Sequence, residues 1–170
     1  MNLKSKGAVR LVFERVRGEV IDVVAAIDLF AAPAEVWALI KPAETATLLD
    51  PDVVKAFRVP GTPEGVGEMQ GYISYRDGRE YVHLVEVVEE VRERWALVRV
   101  VGDADEAART GFRLTAIPGG TRLEQLRTVT VPAAQVRGIN QIREQYTAAA
   151  RAFLERVKLL TEPASPGRHA

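Results

Sequence analysis

Residues Ile27–Ile40 read IDLFAAPAEVWALI, and the fold turns on that stretch. An alternating strand runs into Ala31-Ala32-Pro33, and an amphipathic helix begins at once with Glu35, Val36 and Trp37. Proline suits the first turn of a helix, because its missing N–H would have no partner there and its φ is already helical. Upstream, Ile21, Val23, Ala25, Ile27 and Leu29 share one parity within Glu19–Phe30, the period-2 signature of a strand with one buried face. Val9–Phe13 reads as a short strand or an extension of it, with Gly18 as a bend or bulge. Downstream, Lys41-Pro42 breaks the helix, and Ala43–Leu49 reads as a second short helix ending near Asp50-Pro51.

A long β region follows. Val54–Val59 is bounded by Pro60-Gly61-Thr62-Pro63, and Gly67–Tyr75 is closed by the hairpin signal Asp77-Gly78. Arg79–Val88 and Arg94–Val101 are strands joined by a charged connection. Ala107–Ile117 and Thr121–Val131 are joined across Pro118-Gly119-Gly120, and Pro132 ends the sheet. From Ala133 to Leu160 the period changes. Ile139, Ile142, Tyr146, Ala149, Phe153, Val157 and Leu160 recur at three- and four-residue spacing, one stripe on a helix of about seven turns. An antiparallel sheet must bury one face, and this helix is the element large enough to cover it. A curved sheet wrapped on one helix encloses a space, so a cavity is expected from the fold alone.

The 170 residues suit one domain, expected over 1–161 with residues 1–7 flexible and a disordered Pro/Ser/Gly tail at 162–170. Lys+Arg and Asp+Glu both total 23, so no positive footprint for nucleic acid is present. No apolar run approaches the roughly 20 residues of a membrane span, and Met1–Gly7 lacks the apolar core of a signal peptide. A cytoplasmic protein is therefore expected. There is no cysteine, and the two histidines are His83 and His169, too few for a histidine metal site. No Asp-rich calcium loop occurs. Neither a metal nor a cofactor is expected.

The element order β, two short helices, about six strands and one long helix resembles the START-like (helix-grip, SRPBCC) superfamily. That superfamily includes polyketide cyclase/dehydratases, lipid-transfer domains and the birch-pollen allergen group. The resemblance is carried by Ile27–Ile40 with its Ala-Pro-Ala-Glu-Val-Trp turn, Val66-Gly67, Gly119-Gly120-Thr121-Arg122-Leu123 and the terminal helix. It spans about Glu19 to Leu160 and implies an α+β fold: a curved antiparallel sheet of about seven strands around a long C-terminal helix. It also implies a hydrophobic cavity. These motifs are turn and packing signatures, so they speak to fold more than to function.

Candidate chemistry lies on the strands and the grip helix. In EYVHLVEVVEE (Glu80–Glu90), His83 and Glu86 fall on opposite parities, and both parities are apolar enough to face inward. A regular strand puts one of the two in the cavity, as a base near neutral pH or as a carboxyl raised by burial. Leu123, Gln125, Arg127, Val129 and Val131 share a parity, so Gln125 and Arg127 are expected to project inward and orient a ligand carbonyl or carboxylate. Arg113 is a further candidate, although Phe112, Leu114 and Ala116 look like the inward set on its strand. Tyr72, Tyr75, Tyr81 and Tyr146 offer hydroxyls beside apolar rings, with Tyr146 on the buried stripe. Ile142 and Phe153 share that stripe, Gln141 and Gln145 flank it, and Trp37 anchors the first helix while remaining a lining candidate. Gly65–Gly71 is a turn and strand start, since its third glycine is misplaced for G-x-G-x-x-G and a strand follows.

Two functions fit. One is a cofactor-independent cyclase/dehydratase with His83 or Glu86 as acid/base and Arg127 with Tyr146 as orienting or oxyanion groups. The other is a non-catalytic carrier or sensor of a lipid or other hydrophobic ligand, polyketide- or terpenoid-like. A protein-interaction role, known for some members of the superfamily, is a third. The expected partner is a hydrophobic small molecule, with no nucleic acid and no membrane span, bound by a monomer or homodimer.

Overall fold

The computed structural model describes residues 18–102 and 108–162. The strand expected at Val9–Phe13, the flexibility expected at residues 1–7, His169 and nearly all of the expected tail lie outside them. Strand β1 (Gly18–Leu29) leads into α1 (Pro33–Ile40), then a 3-10 turn (Ala43–Thr45) and α2 (Ala46–Leu49). Strands β2 (Val53–Arg58), β3 (Met69–Arg76), β4 (Arg79–Val91), β5 (Trp95–Val100), β6 (Arg109–Ile117) and β7 (Gly120–Pro132) follow. A second 3-10 turn (Ala133–Gly138) opens α3 (Ile139–Thr161). The strands form one seven-stranded antiparallel sheet ordered β1-β7-β6-β5-β4-β3-β2, curved around α3. This is the helix-grip architecture read from the sequence. Among the described residues, no helix is long and apolar enough to cross a membrane.

Local chemistry accounts for the turns. Pro33 starts α1, and the Glu35 carboxylate accepts the Ala32 N–H at 2.8 Å, so the helix begins without a side-chain N-cap. Asp77 and Gly78 take left-handed φ of 50° and 74° in a two-residue hairpin between the paired Arg76 and Arg79. Gly120 lies so close to β1 that a Cβ there would stand 1.8 Å from the Leu29 carbonyl oxygen. The buried Thr121 hydroxyl then donates to the Ala31 carbonyl at 2.7 Å, tying the start of β7 to the turn before α1.

Three differences from the sequence reading bear on the cleft and the core. Gly65 and Gly67 adopt left-handed φ of 82° and 88°, which extends the turn and delays β3 to Met69. The long helix starts at Ile139, because Gly138 costs about 1 kcal/mol in a helix interior and the preceding segment settles as a 3-10 turn. The buried side of α3 is carried by Ala150, Leu154 and Val157, with Ala149 and Leu160 exposed. The C-terminal half of α3 thus presents an edge one residue round from the expected stripe. Its side chains join Ala25, Leu29, Val36, Trp37, Leu114 and Leu123 in the main core. The N-terminal half of α3 contributes no fully buried side chain.

Candidate functional site

Register decides which side chains face the helix. On β7, Thr121, Leu123, Gln125, Arg127 and Val129 stand opposite Leu29, Ile27, Ala25, Val23 and Ile21, the inward set of β1. Gln125 and Arg127 therefore face α3, as their parity implied. There the N-terminal half of α3 stands off the sheet and leaves a cleft of about 830 Å³. Leu49, Ile142, Ala149, Ala150 and Phe153 form its apolar lining, and Gln125, Arg127, Gln145 and Tyr146 its polar wall. Asp50, Asp52 and Arg76 stand at one edge and Arg156 at another.

Arg127 is the central polar group. Its guanidinium lies 5.2 Å from the centroid of the Tyr146 ring, a cation–π contact, and its Nε donates to Thr110 Oγ1 over a long 3.4 Å. Burial holds its pKa below the ordinary arginine value, with Arg76 acting the same way and Tyr146 and Asp50 opposing. Gln125 is 7% exposed and makes no side-chain hydrogen bond among the described residues. At the cleft edge Arg76 bonds Asp52 at 2.8 Å and Asp50 at 3.4 Å, which ties the end of β3 to the loop after α2.

The His83/Glu86 alternative resolves through strand pairing. Gln70 and Tyr72 face inward on β3, and their partners on β4 are Val85 and His83. His83 is thus on the concave face, with its ring stacked on Tyr72 at 5.2 Å and 11° and its other side open to solvent. Burial against Tyr72 and the nearby Arg76 charge lower its pKa, opposed by Asp50, which favours the neutral imidazole. It shares the neighbours Arg76 and Asp50 with Arg127 but is not part of the cleft lining.

Glu86 lies on the convex face, bonded to Arg99 at 2.7 and 3.0 Å, and is no cavity group. Two further expectations are corrected for the same reason of parity. Tyr75 points outward and is 56% exposed. Arg113 lies on the outer face of β6, 5.5 Å from the Trp95 ring centroid and 3.7 Å from Glu124. Tyr81 is on the concave parity but at the exposed end of β4. Trp37 is a core residue beside a void of only about 30 Å³. That void is lined by Phe112, whose ring stacks on Phe153 of the cleft at 5.3 Å, so the aromatic pair stands between the two spaces.

Sequence reasoning missed a second polar group. Lys41 Nζ lies 3.1 Å from both Glu68 carboxylate oxygens and 3.3 Å from Glu90 Oε2. The Glu90 contact is Coulombic only, since Oε2 has no hydrogen-bond geometry to any donor among the described residues. Gln70 Nε2 donates to Glu68 at 2.6 Å, and Tyr72 donates its hydroxyl to Gln70 Oε1 at 2.6 Å. Tyr72, expected to meet ligand, spends its hydroxyl here; burial, then the charges of Glu68 and Glu44, push it above its ordinary pKa. Burial alone would raise Glu68, but hydrogen bonds from Gln70 and Lys41 and the Lys41 charge outweigh it and hold the carboxyl low. Glu90 points inward because of a bulge between Val87 and Glu89, which reverses the parity of the last residues of β4.

Among the described residues no group of three or more His, Cys, Asp or Glu could hold a metal ion. A separate, polar-lined depression of about 630 Å³ at Pro33, Arg92–Arg94 and Leu114–Ala116 lies at the far end of β6 and brings no such constellation together.

No protein-family model matches the sequence, and no curated protein does. Solved structures do match. The di-domain ARO/CYC StfQ from the steffimycin biosynthetic pathway superposes with a TM-score of 0.70 at 13% identity, over 84% of this chain and 51% of that one. The chain thus spans about half the length of that two-domain protein. The polyketide_cyc-like protein Cgl2372 from Corynebacterium glutamicum matches with a TM-score of 0.64 at 15% identity, over 89% and 98%. The structure of Ara h 8.0201 matches with a TM-score of 0.56 at 16% identity, over 82% and 98%. The chain shares the helix-grip fold of these structures.

Proposed function

We propose that this START-like helix-grip chain binds a hydrophobic small molecule, polyketide-, lipid- or terpenoid-like, in the cleft between β7 and the N-terminal half of α3. The observation that carries this is a space of about 830 Å³ with an apolar side of Leu49, Ile142, Ala149, Ala150 and Phe153, a polar wall that includes Gln125, Arg127, Gln145 and Tyr146, and the charged groups Asp50, Asp52, Arg76 and Arg156 around it. Sites of that size and character hold most of a small ligand's apolar surface and use a few polar groups to orient it. The ARO/CYC and polyketide_cyc-like names of the structural neighbours agree with such a ligand.

Binding without chemistry, as a carrier or sensor, needs nothing beyond this cleft. Cyclisation or dehydration by acid–base chemistry is a second reading, favoured by the position of His83 on the concave face beside Asp50 and Arg76. That reading requires the ligand to extend past Asp50 and Arg76 to His83, which then accepts a proton from an activated carbon while Arg127 stabilises the enolate oxygen; the enolate carbon attacks a second carbonyl of the ligand, and the new alkoxide takes the proton back from His83. Cleft enclosure would supply proximity.

N-phenyl-1-naphthylamine, a neutral dye that brightens in apolar sites, tests the binding reading. We expect it to bind the wild type and to lose at least about tenfold in affinity in Ala149→Trp, whose indole fills the cleft. No binding, or unchanged binding in the variant, overturns the site. Under the catalytic reading, His83→Ala keeps dye binding and loses cyclisation of a linear poly-β-carbonyl compound.

A further inference from the structure

We propose that the ligand of the cleft is an amphipathic carboxylic acid, its carboxylate held by Arg127 and a second oxygen by Gln125. This rests on the binding function proposed above and specifies its ligand class. The cleft sets three arginines, Arg76, Arg127 and Arg156, against two aspartates, Asp50 and Asp52. Both aspartates are taken by Arg76. Arg156 donates Nε to the Leu48 carbonyl at 3.0 Å, and Arg127 has no carboxylate within ion-pair distance among the described residues. The chain as a whole carries no net charge, so this cationic surplus is local.

A guanidinium has five N–H donors in a planar fork. Among the described residues Arg127 engages one, Nε, and only at 3.4 Å. Tyr146 holds the cation through its ring and accepts no N–H there, which leaves the fork free to take a carboxylate with two parallel bonds. A partly desolvated arginine without such a partner is costly, and a ligand carboxylate removes that cost. Gln125 provides the second observation. It is nine-tenths buried, it lines the cleft, and its amide has no partner among the described residues. It stands two residues from Arg127 on the same face of β7, about 7 Å along the strand. An acid with a carbonyl or hydroxyl a few bonds into its body reaches both. Leu49, Ile142, Ala149 and Phe153 then receive the apolar part. A single free fork with Asp50 and Asp52 at the edge suits a monoanion and opposes a phosphate dianion.

The test is displacement of N-phenyl-1-naphthylamine by two matched pairs: decanoic acid against 1-decanol, and 2-naphthoic acid against 2-naphthol. In at least one pair the acid should compete at least about tenfold better than the neutral partner on wild-type protein. Arg127→Met should lower the acid's affinity at least about tenfold and leave the neutral compound within about threefold, and Arg127→Lys should restore part of the loss. Equal competition by acid and neutral compound overturns the inference while leaving the hydrophobic site standing. So does competition by neither member of either pair, or an acid preference that persists in Arg127→Met. Failure of the dye itself to bind instead removes the binding function on which the inference rests. The wild-type comparison needs no variant and stands if Arg127→Met does not fold.

Discussion

The C-terminal half of α3 buries Ala150, Leu154 and Val157 among residues of β1, α1 and β7, whereas the N-terminal half keeps Ile142, Tyr146 and Ala149 partly or fully exposed beside a cleft. The strand opposite changes in step. Leu123 and Thr121 face the closed half, and Gln125 and Arg127 face the open one. One helix therefore serves two purposes. It seals the core where both surfaces are apolar, and it stands off where two polar side chains on β7 would be left without partners by close packing. Buried packing concentrates at the closed end and the proposed binding site lies at the open end, the division expected when a ligand site draws on a less protected part of a fold.

Truncations on the two halves test that division most strongly. Leu154→Ala should cost about 2–5 kcal/mol of unfolding free energy, because it opens a cavity at a fully buried site. Ile142→Ala should cost no more than about 1.5 kcal/mol, since its side chain is only partly buried, yet it should weaken binding of N-phenyl-1-naphthylamine. Urea denaturation of both variants reads the difference. Equal costs would mean that the helix grips along its whole length.

Much of this division is legible in the sequence, and the missing parts have physical causes. The period-2 parity of β7 puts Gln125 and Arg127 on the same face as Leu123, so their inward direction can be read without coordinates. The choice between His83 and Glu86 cannot, because both parities of β4 are apolar and only pairing with Gln70 and Tyr72 selects one. Lys41, Glu68 and Glu90 come from three distant segments, and the bulge that turns Glu90 inward leaves no mark in the alternation. The stripe on α3 is displaced by one residue toward Leu154, since spacing gives the period of a helix face but not which edge the sheet meets.

The Lys41 cluster sharpens the contrast from the other side, for there the buried polar groups are largely satisfied within the protein. Glu68 has a lowered pKa in the folded state, so the unfolded chain binds the extra proton first as acid is added. Its contribution is present above the ordinary carboxylate range and is lost as pH falls through the depressed folded value. Wild-type protein should consequently lose more stability between pH 7 and pH 4 than Glu68→Gln does, measured by urea midpoints at each pH. An identical loss in the two proteins would show that the charged form of Glu68 is not what the cluster holds.

The central claim is that the open half of α3 and the facing stretch of β7 form the ligand site. Backbone amide chemical shifts during titration with N-phenyl-1-naphthylamine test it residue by residue. Shifts confined to Ile142–Phe153, Gln125–Arg127 and Leu49–Asp52, with the convex-face residues Glu86, Arg99 and Arg113 unmoved, are the predicted result. Shifts centred on the convex face, or none in the α3 segment at saturating dye, would contradict it.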